Sequence, residues 1–367
     1  MTEERGYKSN RAESRAKKSV IQNPNLSKDF RLKRKRKSKM KSSTPAKSRR
    51  LEKKKPDWVN AEMRFTLSGD SSLSSESSQS SENDQPKFSE IPIPEYIKET
   101  AFRAEFRDYE LGKVLGAGAF GLVISATRIN DNLSVALKFV QKSSVKEFKK
   151  MNGFEIPSEA YFQRQARHRH VIEIYEVLVT DEFYVYVMER PQDCKDLFEV
   201  IHERDNLDQP LTENEVRRYF AQILRANISC EENGVLHRDI KPENIIVDMR
   251  TDEAKLIDFG LASEVQSEPF THFRGTPHYM PPEYSQSKKY DGCQGTVWQM
   301  GILLVDMLSP EIPAFKHSHL ALRIPPTVPQ HLSTDAKDLI YSLLDTTPGN
   351  RPTLKQTLKH PWLVGTD

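Results

Sequence analysis

The chain has 367 residues, 37% of them hydrophobic, with 55 Lys+Arg against 52 Asp+Glu and three cysteines; that length holds two average domains, or one large two-lobed domain and a tail. Cys194, Cys230 and Cys293 lie far apart with no C-x-x-C pair, which argues against a disulfide framework or a zinc site and suits a reducing, intracellular compartment. No apolar run approaches membrane-spanning length, and the first residues lack the apolar core of a secretory signal, so a soluble protein without a membrane span is expected.

The near-neutral total conceals two halves of opposite sign. Residues 1–100 hold 24 Lys+Arg against 14 Asp+Glu, whereas 101–367 hold 31 against 38. The first stretch runs from two basic segments (31–41 and 47–55) into a serine-rich acidic one beginning at Ser68. It is too poor in apolar residues to offset the entropy of ordering, and residues 1–100 are expected to be a disordered tail. The basic segments read as a solvated tail or as a two-part nuclear address, giving an expected location in the cytoplasm and the nucleus. A nucleic-acid-binding tail is the weaker reading, and nucleic acid is not an expected partner.

Ordered structure is expected from near Phe106. Residues 108–129 and 134–142 alternate apolar and polar positions in short runs broken by glycine or by Asp131-Asn132, the pattern of antiparallel strands. Asn152-Gly153 marks a hairpin, a helix opens near Ser158, and residues 171–189 read as two more strands. Beyond Pro191 the period changes to that of helices. Thr212 and Glu215 form a capping box before a long helix that Asn233-Gly234 ends, and helices are expected over 296–308, 334–345 and 353–363. Arg167, His168, Arg169 and His170 read as an exposed helix end without function, because two histidines lack a carboxylate or thiol partner nearby.

Gly116, Gly118 and Gly121 have the G-x-G-x-x-G-x-V spacing, with Phe120 inside it and Val123 closing it, and glycines let backbone N–H groups approach phosphate oxygens. A dinucleotide-binding turn would need a helix next, and residues 122–129 are β-like instead. Ala136 and Lys138 follow in a V-A-x-K run that puts a lysine within reach of phosphates. The decisive segment is His237, Arg238, Asp239, Ile240, Lys241, Pro242, Glu243, Asn244, followed after a short strand pair by Asp258, Phe259, Gly260. Phosphoryl transfer needs a carboxylate for the hydroxyl proton, a cation near the moving phosphate and oxygen ligands for Mg²⁺; Asp239, Lys241 and the pair Asn244 and Asp258 supply them.

With these motifs, residues 106–363 resemble the eukaryotic protein kinases, and Lys241 and Thr276 resemble their serine/threonine branch. The run Glu189, Arg190, Pro191 followed by Asp196, Leu197, Phe198 looks most similar to the PIM kinases. The resemblance implies an α+β bilobal fold: a small β-rich N-lobe (106–190) with one main helix, a larger helical C-lobe (191–363), and use of ATP and Mg²⁺ by a monomer acting on protein substrates. It implies that Glu159 pairs with Lys138, that Glu283 pairs with Arg351, and that Phe120, Val123, Ala136 and Glu189 line the nucleotide. It also implies that Asp196, Glu199 and Glu243 receive basic residues upstream of the target hydroxyl. Pro191 has no N–H, so adenine would lack one hinge hydrogen bond.

Two departures qualify the expectation of a rigid active state. Gln163 stands where an apolar residue normally packs against the Phe259 position, and His272 and Arg274 replace acids that the PIM pattern has before Gly275; a third, Thr296 where most kinases have an aspartate, is discounted because the PIM kinases also lack that acid. Ser267 and Thr271 become candidate phosphosites facing Arg238. The alternative to an active kinase is a pseudokinase scaffold, against which the intact Lys138, Asp239, Asn244 and Asp258 weigh.

Overall fold

The computed structural model describes residues 31–33, 92–94, 97, 106–118, 121–309 and 328–364. In chain order they form β1 (Arg31–Lys33), β2 (Tyr109–Gly118), β3 (Gly121–Arg128), β4 (Leu133–Gln141), β5 (Phe148–Met151), β6 (Phe154–Pro157), α1 (Ser158–Gln165), β7 (Ile174–Val179), β8 (Phe183–Glu189), β9 (Cys194–Asp196), α2 (Leu197–Asn206) and α3 (Glu213–Glu232). After these come β10 (Val235–Leu236), β11 (Ile245–Asp248), β12 (Glu253–Leu256), β13 (Ser263–Glu264), α4 (Pro282–Ser287), α5 (Gly292–Leu308), α6 (Thr334–Leu343), α7 (Leu354–Thr357) and α8 (Pro361–Val364).

The small lobe is built on a six-stranded sheet in the order β1-β7-β8-β4-β3-β2, antiparallel except where β1 joins β7 in parallel, with β5 and β6 as a separate two-stranded pair. Period-2 alternation sorts its faces: Leu122, Ile124, Val135, Leu137 and Phe139 are buried in one cluster with Phe106 and Phe183. Phe106 stacks on Phe139 at 5.8 Å and Phe183 meets it edge-on at 6.0 Å. Two segments of the expected tail depart from that reading. Arg31–Lys33 pairs with β7, and Ile97, with Ile93 beside it, packs into this same core; these isoleucines have apolar surface to bury, which the basic and serine-rich segments lack. The remainder of the tail, including Ser38, lies outside the described residues.

The large lobe is helical around α5, a helix apolar on every side and buried almost throughout, as a helix without a polar face must be. Thr212 caps α3 as its sequence foretold: the Glu215 N–H donates to the Thr212 hydroxyl, and Glu215 accepts the Thr212 N–H at 2.8 Å. Asn152 and Gly153, both at positive φ, turn β5 into β6. The segment 353–363, expected as one helix, is two: Pro361 cannot continue the first and opens the second.

In the run 167–170, Arg167 and Arg169 are exposed as expected, but the segment is no helix end and His170 is buried. α1 stops at Gln165, and the chain turns inward as a strap to β12, with His170 only 5% exposed. The His170 ring bonds the Ala254 carbonyl through Nδ1 at 3.0 Å, its own carbonyl accepts the Leu256 N–H, and Arg169 ion-pairs with Glu253. Burial pushes the His170 imidazole down to about 4, and burial lowers His168 as well. The sign is that of a group kept neutral by folding: its contribution is present above the unfolded value of about 6.5 and is lost as pH falls toward about 4. Between pH 6.5 and 5 this strap therefore weakens the fold by about 2 kcal/mol. Urea unfolding at pH 7.5 and 5.0 should show a loss in wild type that is smaller in His170→Asn; parallel losses would remove His170 from the acid response.

Candidate active site

The cleft is built from one face of the small-lobe sheet. Val123 lies opposite Lys138, and Ser125 opposite Ala136, so Val123, Ala136 and Lys138 share the face turned away from the Leu122, Ile124 and Leu137 core. Register shifts between Leu111 and Gly116 mark irregular pairing just before the glycine hairpin. Gly121 has φ 123°, and a Cβ there would lie 2.2 Å from the Phe139 carbonyl oxygen, so no other residue fits. Gly116 has open space around it. Gly118 ends β2, whereas Phe120 lies outside the described residues.

Lys138, 7% exposed, reaches Glu159 of α1 at 2.6 Å and Asp258 at 3.4 Å. Burial by itself would lower the ammonium; the pull of the two carboxylates and the hydrogen bonds to them outweigh it and hold the pKa above the ordinary lysine value. Burial would likewise raise Asp258, but Lys138, the Gly260 N–H at 3.2 Å and His237 bring it below the usual range. Both ions therefore remain charged at neutral pH. α1 can hold Glu159 there because Phe162 and Ala166 at its far end belong to the large-lobe core.

Gln163 does not loosen this arrangement. It is 3% exposed, and its Nε2 donates to the Ile172 carbonyl at 2.8 Å. Phe259 is buried against His237 instead, with ring centroids 4.7 Å apart. The His237 Nε2 bonds the Ile257 carbonyl at 2.8 Å, and Nδ1 accepts the Asp239 N–H at 3.3 Å. Those partners assign a neutral ring protonated on Nε2, and burial keeps the ring neutral by lowering its pKa. One imidazole thus joins the catalytic loop to the segment that carries Asp258.

Asp239 is held from both sides. Its Oδ1 accepts the N–H and hydroxyl of Thr276, each at 2.8 Å; its Oδ2 accepts Asn244 Nδ2 at 2.9 Å and lies 3.4 Å from Lys241 Nζ. Lys241 also donates to the Thr276 hydroxyl at 2.9 Å. Asn244 stands on a 3₁₀ turn, Pro242–Asn244, that begins directly after Lys241. Its carbonyl accepts the Ile257 N–H at 2.9 Å, which puts Asn244 beside Asp258. Arg238 and Asp258 have φ of 71° and 61°, strained conformations that persist only where surrounding contacts over-determine them.

The segment after β13 is tied down without a phosphate. Arg238 donates to the His272 carbonyl at 3.1 Å and the Tyr290 hydroxyl at 2.9 Å, and its guanidinium lies 4.3 Å from the Phe270 ring. Phe270 and Tyr290 exchange backbone hydrogen bonds, and Arg274 pairs with Glu147 at 3.3 Å. Thr271 and Ser267 are exposed.

At the hinge, the Glu189 side chain bonds Lys255 at 2.7 Å and the Glu173 N–H at 3.2 Å, so it is committed within the protein. Asp196 caps α2 by accepting the Glu199 N–H at 2.7 Å, while Glu199 and Glu243 are exposed. Asp306, to which sequence reading gave no role, accepts the Tyr279 hydroxyl, and Tyr279 also feels Glu243 and Asp239.

Comparison with known proteins agrees with this geometry. Residues 109–363 match the protein kinase domain family. Serine/threonine-protein kinase pim-2 of Danio rerio is 37% identical over 269 residues, covering 70% of this chain and 85% of that protein. Serine/threonine-protein kinase prk-2 of Caenorhabditis elegans is 37% identical over 264 residues, 70% of this chain and 58% of the relative. CBL-interacting protein kinase 30 of Oryza sativa subsp. japonica is 32% identical over 268 residues, 69% of this chain and 54% of the relative. With the family match spanning more than half its length and the paired Lys138 and Glu159, the restrained Asp239 and the adjacent Asn244 and Asp258 in place, the chain belongs to the serine/threonine protein kinase family.

Proposed function

We propose that the chain transfers the γ-phosphoryl group of ATP to serine or threonine in proteins with basic residues upstream of the target. The observation that carries this reading is Asp239: four polar groups of Thr276, Asn244 and Lys241 fix its carboxylate, as a group that accepts a hydroxyl proton must be fixed. Lys138 and the glycine hairpin fit a nucleotide's phosphates, the lysine as a fixed cation and the hairpin through backbone N–H groups. Asn244 commits its Nδ2 to Asp239, which leaves its side-chain oxygen as a donor for a metal, and its backbone bond to Ile257 sets the residue next to Asp258. Two oxygen donors suit Mg²⁺, an ion that completes its shell with phosphate and water. Asn244 and Asp258 would hold the ion, which would supply charge neutralisation at the phosphates. Lys241, 3.4 Å from Asp239, stabilises charge developing on the transferred group. Incubating the chain with Mg-ATP and an arrayed peptide library tests the reading; ATP binding without transfer would favour a scaffold.

Glu243 and Asp306, both felt by Tyr279, with Asp196 and Glu199 at the start of α2, supply carboxylates on a domain of net negative charge. Arginine suits them because its planar fork pairs bidentately with a carboxylate. Replacing an arginine three residues upstream of the target by alanine should lower kcat/KM by about tenfold, the worth of one charge-assisted pair, and added salt should shrink the difference. Glu243→Gln should flatten this preference. Equal rates for both peptides on the wild type would remove the basic preference; a preference unchanged in Glu243→Gln would assign it to the other acids. The basic segments 31–41 and 47–55 are proposed, on sequence alone, as a nuclear address, tested by the location of a chain lacking them.

A further inference from the structure

Gln299 lies on α5, the central helix of the large lobe, and is 3% exposed. Its carboxamide faces the backbone on both sides of Asp239. Nε2 donates to the Arg238 carbonyl at 3.0 Å, and Oε1 accepts the Ile240 N–H at 3.3 Å. An amide carries donor and acceptor on one planar, neutral group, so this side chain does for the loop what a neighbouring strand does in a sheet.

The backbone it grips is strained. Arg238 has φ 71°, a region that is costly for a residue with a Cβ. Gly275, which precedes the Thr276 that holds Asp239, approaches the same carbonyl so closely that a Cβ on it would lie 2.6 Å away. Thr296, one turn earlier on α5 and at the position where most kinases carry an aspartate, takes no part: its hydroxyl donates to the Gly292 carbonyl at 3.0 Å inside its own helix.

We propose that Gln299 is the positioning residue of the catalytic loop, fixing the peptide units before and after Asp239 and through them the direction of its carboxylate. This rests on the phosphotransfer reading above. Gln299 bonds backbone atoms, whereas the Asp239 oxygens are held by Thr276 and Asn244. Its loss therefore misdirects the base without removing it. Lys138, Glu159 and Asp258 stand on β4, on α1 and after β12, so nucleotide binding is preserved. A small displacement of a reacting group costs up to about a hundredfold in rate.

The test uses the full chain as wild type, Gln299→Met and Gln299→Glu. Methionine keeps the length of the side chain and removes both bonds; glutamate keeps an acceptor for Ile240 and loses the donor to Arg238. Expected is a fall in kcat of about ten- to a hundredfold for Gln299→Met, with KM for ATP within about threefold, and a smaller fall for Gln299→Glu. Amide exchange at Ile240 should quicken by about tenfold or more in Gln299→Met. Rates are compared per folded molecule, from urea unfolding of each variant, so that a residue with only a structural role would leave kcat unchanged. A transferring wild type with kcat unaltered in Gln299→Met overturns the proposal. If the wild type transfers to no peptide, the phosphotransfer reading is what fails, and Ile240 exchange decides the hold: unchanged protection in Gln299→Met overturns it too.

Discussion

Asp239→Asn and Lys138→Met should each lower phosphotransfer by about a thousandfold or more, and they should do so in kinetically different ways. Asparagine retains an oxygen for Thr276, whose N–H and hydroxyl both point at Oδ1, and gives up only the Oδ2 contacts with Asn244 and Lys241, so the Thr276 hold on the loop stays while the carboxylate proposed to accept the proton disappears. Asp239→Asn therefore loses kcat with little change in KM for ATP, as expected of an interaction made only in the transition state. Lys138→Met acts before the chemistry. It removes the cation between Glu159 and Asp258, whose side chains are 12% and 22% exposed. Two carboxylates then share a poorly solvated site, one of them takes up a proton, and the contact with α1 is lost. Both ATP affinity and kcat should fall. Transfer to peptide, nucleotide titration and thermal melts on the same preparations check this; activity within a few-fold of wild type in either variant would remove that residue from its role.

The largest expected effect on stability is at Arg351 and Glu283. The Arg351 side chain is fully buried, with Nη1 and Nη2 on the two Glu283 oxygens at 3.0 and 2.7 Å, Nε on the Asp345 carbonyl at 2.7 Å, and the guanidinium 4.9 Å from the Trp298 ring. Glu283→Gln leaves this cation buried and uncompensated, which costs about 3–5 kcal/mol. Arg351→Met should cost less than Glu283→Gln, because methionine fills the space against Trp298 and the 13%-exposed Glu283 left behind can be hydrated. The pair also anchors α4, directly after the segment that presents Thr276 to Asp239, so folded Glu283→Gln molecules should transfer more slowly. Urea unfolding at pH 7.5 gives the comparison. A loss under about 1 kcal/mol in Glu283→Gln would show that backbone carbonyls and Trp298 suffice to hold Arg351.

How much of the site was legible depends on how locally each part is encoded. Asp239, Lys241 and Asn244 fall within six residues, and Asp258 follows a strand pair whose turn is short; their chemistry could be read because their spacing is nearly their geometry. The pairings of Lys138 with Glu159 and of Glu283 with Arg351 were expected from family likeness and are present at 2.6 and 2.7 Å. His170 was misread because a run of alternating arginine and histidine looks solvated until β12 is laid against it. Gln163 was read as a weakness because its amide looks out of place on a packing face; the Ile172 carbonyl that satisfies it is nine residues away, across a turn.

By itself, the sequence determined the elements and where the candidate groups of the site stand along the chain. Period-2 and helical patterning, the capping box at Thr212 and the glycine turns act over a few residues, and motif spacing does the same for Asp239, Asn244 and Asp258. Only the tertiary structure decided what restrains those groups. Thr276 reaches Asp239 across 37 positions, Gln299 grips Arg238 across 61, and Asp306 meets Tyr279 across 27. Hydrogen bonds of such separation exist only once α5 is buried and the segment after β13 is folded back over it. No local pattern encodes them, because their partners are backbone atoms and ordinary polar side chains whose proximity is a product of packing.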